Sequence, residues 1–340
     1  MTVDTKKWSK RLRRRGWHKT PRGLKVPLYS VTMDASEVEE FVEYLFVRAM
    51  YAYMIAASIL GLKLQDIAKK PHHGKSTELH KKAYKIFNKA FGRIRLRVKN
   101  AGRTSKFYKY GLILSDGHVS KSRKMIQFGS TDPELIRIVL LAFKRAEVYI
   151  LHPTLLRNDT IHPFIYIHID NNLGGPEQFL SILFNATVTE LVDYVAGLAD
   201  GDGSISRWVG LRIFVGEKKL PYIEPISWMG RLHKSGKDSY SFIVYKEFQG
   251  VILRKMQHRK RKQMLKAVLQ RKYRRNKFNG IKISVRNHRG VEVCFYGNIN
   301  SIIKYAQMLG LKPSVHENFV RFNAKDTLIL LKAIINPQIS

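Results

Sequence analysis

The sequence predicts an α+β protein in which two similar helix-then-strand units follow a small helical domain. Two stretches carry most of that prediction, FYKYGLILSDGHVS at 107–120 and LVDYVAGLADGDGSIS at 191–206. Each opens with an apolar run of helical period, closes it on Asp-Gly, and passes into strand-like sequence. Asp116 and Asp202 stand 86 residues apart, room for one small α/β unit each. A third observation concerns the end of the chain. Residues 280–337 read strand–strand–helix–strand–strand–helix, a unit of the same order without its first helix.

Composition sets the function classes. The 340 residues are 44% hydrophobic and 11% aromatic, enough to bury real cores, which excludes a disordered coat. Lys and Arg number 61 against 26 Asp and Glu, a net charge of +35. Self-repulsion of that size is relieved by a polyanion, so nucleic acid is the expected partner. Cys294 is the single cysteine, which excludes an internal disulfide and cysteine-rich zinc fingers. The basic N-terminus lacks the apolar core of a signal peptide. The apolar run Leu45–Leu60 is broken by Arg48 and falls short of a membrane span. No membrane partner is expected, and the chain reads as soluble, intracellular and cytoplasmic.

Taken in order, residues 1–33 read as a basic arm, with ten Lys or Arg between Lys6 and Lys25. Gly16, Pro21, Gly23 and Pro27 argue there against a helix. Residues 34–100 read as a helical domain. Asp34 or Ser36 starts a helix through VEEFVEYLFVRAMYAYMIAASIL, and a short helix follows around Leu64 and Ile67. Pro71 and Gly74 make a turn, and Ser76 or Thr77 caps the next helix. This order resembles a helix-turn-helix, which would set Lys75, Ser76, Thr77, His80 and Lys81 against DNA. GKST at 74–77 is not a phosphate loop, because Lys69 stands where the first glycine belongs and no apolar strand leads in.

Residues 104–186 form the first repeat. MIQFG reads as a strand, Thr131-Asp132-Pro133 opens a helix, VYILHPTLL and FIYIHI pair as strands, and PEQFLSILF closes the unit. Residues 187–277 form the second, through VGLRIFVG and KDSYSFIVYK into a basic helix over 247–277 with one apolar face. Its stretch 254–277 holds twelve Lys or Arg and no acid. Residues 278–340 are the ββαββα-like unit.

VAGLADGDG at 195–203 resembles the LAGLIDADG signature, and KYGLILSDG at 109–117 keeps Gly111, Leu112, Ile113, Asp116 and Gly117 of it. On these residues the chain resembles the LAGLIDADG homing endonucleases over about residues 104–270. The resemblance implies a single-chain protein with two pseudo-symmetric αββαββα repeats, monomeric and with an internal pseudo-twofold axis. It implies double-stranded DNA as partner and Mg²⁺ (or Mn²⁺) at Asp116 and Asp202. Gly111 and Gly197 leave the two signature helices little side chain where they pack. The glycine after each aspartate suits a left-handed residue that stops the helix. Two carboxylates at helix C-termini are electrostatically disfavoured, and a divalent cation bound by oxygen ligands would offset that cost. The second repeat also has Asp200, where the first has Leu114; the family's pattern makes Asp200 structural.

The resemblance further places a basic residue near the last strand of a repeat, here Lys246, with His168 or Asp170 at the matching place in repeat one. Gln127, by strand alternation, is a candidate to hold a water at the metal. DNA laid across the sheets would meet Ser120, Ser122, Arg123 and Lys124 in repeat one. In repeat two it would meet Ser206, Arg207, Trp208 and Arg212. Arg259, Lys260 and Arg261 suit the phosphate backbone. Two alternatives stay open beside the endonuclease: a non-cleaving DNA-binding regulator with a helix-turn-helix, and a maturase bound to intron RNA.

Overall fold

The computed structural model describes residues 3–20, 23–69, 77–120, 122, 124–156, 159–273, 282–287, 291–296 and, apart from 318, 324 and 328, 299–330. The chain is mixed α+β and divides into two compact units. One comprises residues 1–104 and 116–175, the other 105–115 and 176–340.

The first unit is built on a seven-stranded sheet. Its first hundred residues supply helix α1 (Thr5–Arg11), strands β1 (Arg13–Lys19) and β2 (Lys25–Asp34), helices α2 (Val38–Leu60), α3 (Leu64–Ile67) and α4 (Glu78–Phe91), and strand β3 (Arg93–Lys99). After α5 (Lys106–Asp116) come β4 (Gly117–Val119), β5 (Met125–Ser130), α6 (Pro133–Phe143), β6 (Arg145–Ile150), the small hairpin β7 (Thr154–Leu155) and β8 (Ile161–His162), and β9 (Ile165–Asp170). The sheet order is β1-β2-β3-β6-β9-β5-β4.

The basic-arm expectation for 1–33 does not hold. Asp4 caps α1 by accepting from the Lys7 amide, and Trp8 is fully buried against Phe41, ring centroids 4.9 Å apart. Burying an indole outweighs the repulsion of its basic neighbours, and Arg11 and Lys7, which both lie over the Trp8 ring, pair with Glu37 and Glu40. Gly16 and Gly23, cited against a helix, sit at φ +109° and +77°, at a bulge in β1 and in the turn to β2.

The helical reading of 34–100 is also incomplete. β3 was missed, although RIRLRVK alternates basic and apolar residues with the period of a strand. Ile94, Leu96 and Val98 point into the core, and β3 runs parallel to β2 and antiparallel to β6. Helix α2 is long and apolar enough to cross a membrane by length and composition, contrary to the sequence expectation. It buries Phe41, Leu45, Ala49, Ala52, Tyr53 and Ala56, and it packs on α4 and α6. Of the predicted helix-turn-helix, the turn with Lys75 and Ser76 lies outside the described residues. Its flanks are α3, a single turn, and α4, capped by Thr77 as expected.

The second unit takes in α5 up to Ser115, then α7 (Pro176–Phe184), α8 (Val188–Asp202), β10 (Gly203–Ser206), β11 (Gly210–Gly216), β12 (Gly230–Lys234), β13 (Ser239–Val244), α9 (Lys246–Lys255) and α10 (Arg259–Tyr273). Two 3₁₀ segments, Glu217–Tyr222 and Glu224–Met229, link β11 to β12. The sheet order is β10-β11-β13-β12. The single basic helix expected over 247–277 is broken, because Met256 is extended and starts a kink between α9 and α10. Beyond lie β14 (Lys282–Asn287), β15 (Val291–Tyr296), α11 (Ile299–Met308), β16 (Ser314–Val315) and β17 (Val320–Phe322), ordered β14-β15-β17-β16. Three times, then, four strands adopt the order first–second–fourth–third: β4-β5-β9-β6, with the separate hairpin β7–β8 inserted between its third and fourth strands in sequence, β10-β11-β13-β12 and β14-β15-β17-β16.

Candidate active site

The site begins with two glycines inside helices. A Cβ on Gly111 would stand 2.7 Å from the Leu198 amide nitrogen and closer still to the Tyr194 carbonyl oxygen. A Cβ on Gly197 would stand 3.0 Å from the Leu112 amide nitrogen and closer still to the Tyr108 carbonyl oxygen. The contacts are reciprocal. Each glycine meets the residues three before and one after the other, as a local twofold relation between α5 and α8 requires. Side chains longer than hydrogen would push the backbones apart, so the sequence's small residues set the approach.

Aromatic and buried polar groups lock this pair. Tyr110 stacks on Phe179, centroids 4.2 Å apart. The Tyr108 hydroxyl donates to the Asp200 carboxylate. Asp200 is fully buried and also accepts from the backbone amides of Gln257 (2.6 Å) and His258 (3.1 Å). It thereby holds the residues that lead into α10. Burial pushes the Asp200 carboxyl above its ordinary range, opposed by the hydrogen bonds from Tyr108, Gln257 and His258. The structural role expected for Asp200 is what its contacts describe.

Arg261, expected on DNA, is engaged inside the protein. Its Nη1 donates to the carbonyls of Ala199 (3.0 Å) and Gly201 (2.6 Å) and to that of Asp200. These carbonyls belong to the last turn of α8, where the Ala199 oxygen also accepts from the Gly203 amide, and a guanidinium there adds donors and opposes the helix dipole. The kink at 256–258 is what lets α10 present Arg261 to that end.

α8 ends on Asp202 and passes directly into β10. Gly203 has φ −74° and ψ 144°, an extended conformation, so the left-handed helix stop expected of the Asp-Gly glycine is not formed. Gly203 is required for space instead. A Cβ would meet the Ala199 backbone, with Cα and carbonyl carbon at 2.8 Å.

The Asp202 carboxylate is half-buried, and burial raises its carboxyl against the pull of a cation the sequence reading did not identify, Lys219. Lys219 Nζ lies 3.4 Å from Asp202 Oδ2 and donates to the Ser115 carbonyl oxygen at 2.8 Å. Ser115 immediately precedes Asp116. One ammonium thus joins the end of α5 to the end of α8 and relieves the negative potential both ends carry. Nothing near Lys219 in the sequence marks it. It sits in a 3₁₀ segment 104 residues from Ser115.

The oxygens that accept from Lys219, a carboxylate and a main-chain carbonyl, are of the hard type that suits Mg²⁺ or Mn²⁺. They already converge on one positive charge, so the site fits a small cation by chemistry. Among the described residues no group of three or more His, Cys, Asp or Glu forms a metal cluster.

The remaining candidates fall in several places. Gln127, on β5, accepts from the Tyr166 hydroxyl at 3.1 Å. His168 pairs opposite it and accepts or donates to the Tyr149 hydroxyl at 2.9 Å. Lys246, expected at the end of a strand, is the first residue of α9, and burial lowers its ammonium from its ordinary value. Ser122 and Lys124 are exposed between β4 and β5, and Arg207 is exposed between β10 and β11 beside the exposed Trp208. Arg212, on β11, lies over the Phe214 ring. Arg259 and Lys260 are exposed at the start of α10. In α4, Lys81 pairs with Glu78 at 3.2 Å, and His80 bonds Thr77 Oγ1 through Nδ1 at 2.6 Å. Arg123 lies outside the described residues.

No protein-family profile and no curated protein matches the chain. Among solved structures it is similar to full-length DUF199/WhiA from Thermatoga maritima, at 14% identity and a TM-score of 0.34, over 51% of this chain and 63% of that one. It is similar to I-DmoI in complex with DNA and Ca, at 15% identity and a TM-score of 0.30, over 44% of this chain and 88% of that one. The N-terminal LAGLIDADG domain of DUF199/WhiA follows at 15% identity and a TM-score of 0.32, over 46% of this chain and 83% of that one. These similarities are low, and the chemistry of the site rests on the chain's own residues.

Proposed function

We propose that this chain is a LAGLIDADG-type protein of two αββαββα repeats that binds double-stranded DNA and hydrolyses its phosphodiester bonds. Mg²⁺ or Mn²⁺ would be held by Asp116 and Asp202. The observation that carries this reading is the reciprocal Gly111–Gly197 contact, with Lys219 bridging the helix ends where the aspartates stand. Buried small residues could serve packing alone; a carboxylate kept at a helix C-terminus, half-buried and facing a cation, has a purpose beyond packing. A bound divalent cation supplies Lewis acidity for hydrolysis of the phosphodiester.

The protein's own groups do the rest. Asp200 and Arg261 fix the end of α8, so the Asp202 carboxylate is preorganised. Lys219 carries a positive charge that neutralises that carboxylate in the free protein and can turn to a phosphate oxygen when DNA arrives. Gln127 and Lys246 are proposed to orient water and to stabilise charge on the phosphate. The excess of basic residues supplies affinity through counterion release.

A second reading, a DNA-binding regulator that does not cut, is favoured by one observation. Protein cations, Lys219 and Arg261, already satisfy both helix ends. The experiment that separates the two is cleavage of the uninterrupted DNA of the gene's own locus with Mg²⁺ or Mn²⁺, with EDTA, Asp116→Asn and Asp202→Asn as controls. Double-strand cuts that vanish in all three controls, with DNA affinity retained in the variants, establish the endonuclease. Tight, salt-sensitive binding without cuts establishes the regulator.

A further inference from the structure

The alternation that makes β3 a strand also gives it a second face. With Ile94, Leu96 and Val98 in the core, Arg93, Arg95, Arg97 and Lys99 point the other way. On that face of the first unit lies a cavity of about 680 Å³, and the three arginines line it. Lys19 from β1 and Arg145 from β6 bring the cations at the cavity to five. Among the described residues lining the cavity two carboxylates oppose them, Glu147 and Asp170, which leaves those residues a net positive charge of three with the histidines neutral.

Arg93 is the telling residue. Its side chain is 4% exposed, and its guanidinium lies 3.5 Å from the centroid of the Tyr149 ring. Glu147 stands 3.7 Å from Nη1, an ion pair beyond hydrogen-bond distance, and Glu147 is shared with Arg95 at 3.1 Å. Among the described residues, Nε and Nη1 of Arg93 have no hydrogen-bond partner. Buried N–H donors of a charged group are costly to leave unmade, and a planar fork of donors matches the oxygens of a phosphate. Alternate residues of a strand repeat every ~6.7 Å, comparable with the spacing of successive phosphates along a nucleic-acid strand. A row of arginines on one strand therefore suits a polymer of phosphodiesters better than a single ion.

We propose that the outer face of β3, a strand that precedes the two signature repeats, is a phosphodiester-binding site in which Arg93, Arg95 and Arg97 hold the backbone of duplex DNA. The site extends the DNA-binding surface beyond the strands of the first repeat, and it rests on the reading of the chain as a DNA-binding protein.

The test uses the full chain and measures duplex affinity against salt for the wild type, for the exposed-side variant Arg95→Gln/Arg97→Gln, and for Arg93→Lys. Each phosphate contact removed lowers the slope of log K against log salt by about 0.9, so the double variant should lose about two units of slope, alike on unrelated duplexes. Arg93→Lys keeps the charge and loses the fork, so it should weaken binding with little change of slope. An unchanged slope and affinity in the double variant overturns the proposal. So does a slope change confined to single-stranded RNA. A third overturning result is calorimetric binding of a free nucleoside triphosphate that the double variant loses while its DNA slope stays intact, since the phosphate would then come from a small molecule. Failure of the endonuclease reading is seen separately, as absent cleavage with the slope change still present.

Discussion

Gly197→Ala puts the central contact to the test, because two physical effects of opposite sign act on one methyl group. Gly197 is inside α8, where alanine is favoured over glycine by roughly 0.5–1 kcal/mol through the unfolded chain and helix propensity. Helix propensity alone predicts a more stable protein. The packing predicts the reverse. The added Cβ would stand 3.0 Å from the Leu112 nitrogen, 3.1 Å from the Gly111 Cα, and nearer still to the Tyr108 carbonyl oxygen. Favourable contact begins near ~3.5 Å, and the atoms to be moved are backbone, so α5 and α8 must separate by something on the order of 1 Å. Overpacking of that kind costs about 1–3 kcal/mol, more when a hydrogen bond goes with it. Separation would draw the Tyr108 hydroxyl from Asp200, and leaving a buried polar group unsatisfied costs roughly 1–3 kcal/mol. The net expectation is a destabilisation of about 2–4 kcal/mol, which is roughly 4–16 °C in Tm for a unit of this size. Scanning calorimetry and urea unfolding measure it. Gly111→Ala should behave alike, and the double variant should cost less than the two singles together, because one separation relieves both clashes. A Tm equal to or above the wild type in Gly197→Ala would refute the close approach of the two helices.

Two other predictions rest on buried charge. Asp200→Ala leaves the Tyr108 hydroxyl and the amides of Gln257 and His258 without their acceptor; it should destabilise the protein by roughly 3 kcal/mol, and Asp200→Asn, which keeps one oxygen, by less, both read by urea unfolding. His168 is held down to about 4 from an ordinary value of 6.5, first by burial and then by Arg93. The unfolded chain takes up a proton below pH 6.5 that the folded chain refuses, so stability is full above that pH and is lost as pH falls toward about 4. His168→Gln should flatten the unfolding midpoint across that window, and an unchanged pH profile would mean the imidazole is not desolvated as its contact with Tyr149 indicates.

The sequence determined what is local. Periodicity marked α2, α4, α6 and α8, and Asp132-Pro133 and Thr77 marked where two of them start, because caps and apolar faces are written in neighbouring residues. The paired glycines and the Asp-Gly ends were legible for the same reason. Local pattern also misled. Basic residues over 1–33 hid α1 and two strands, since charge density reads as solvated until Trp8 finds Phe41 some thirty residues on. Every strand edge offers the same N–H and C=O groups, so nothing in RIRLRVK said that β3 would join β6 and lengthen the sheet of the first unit. Arg261 looked like eleven other basic residues, and only the break after Met256 turned it to the end of α8. Lys219 joined the site because folding brought a 3₁₀ segment to two helix ends far from it in sequence. Residue type and spacing thus decided which groups could carry the chemistry. Long-range pairing, which depends on distances the chain acquires only in its tertiary structure, decided which of them meet.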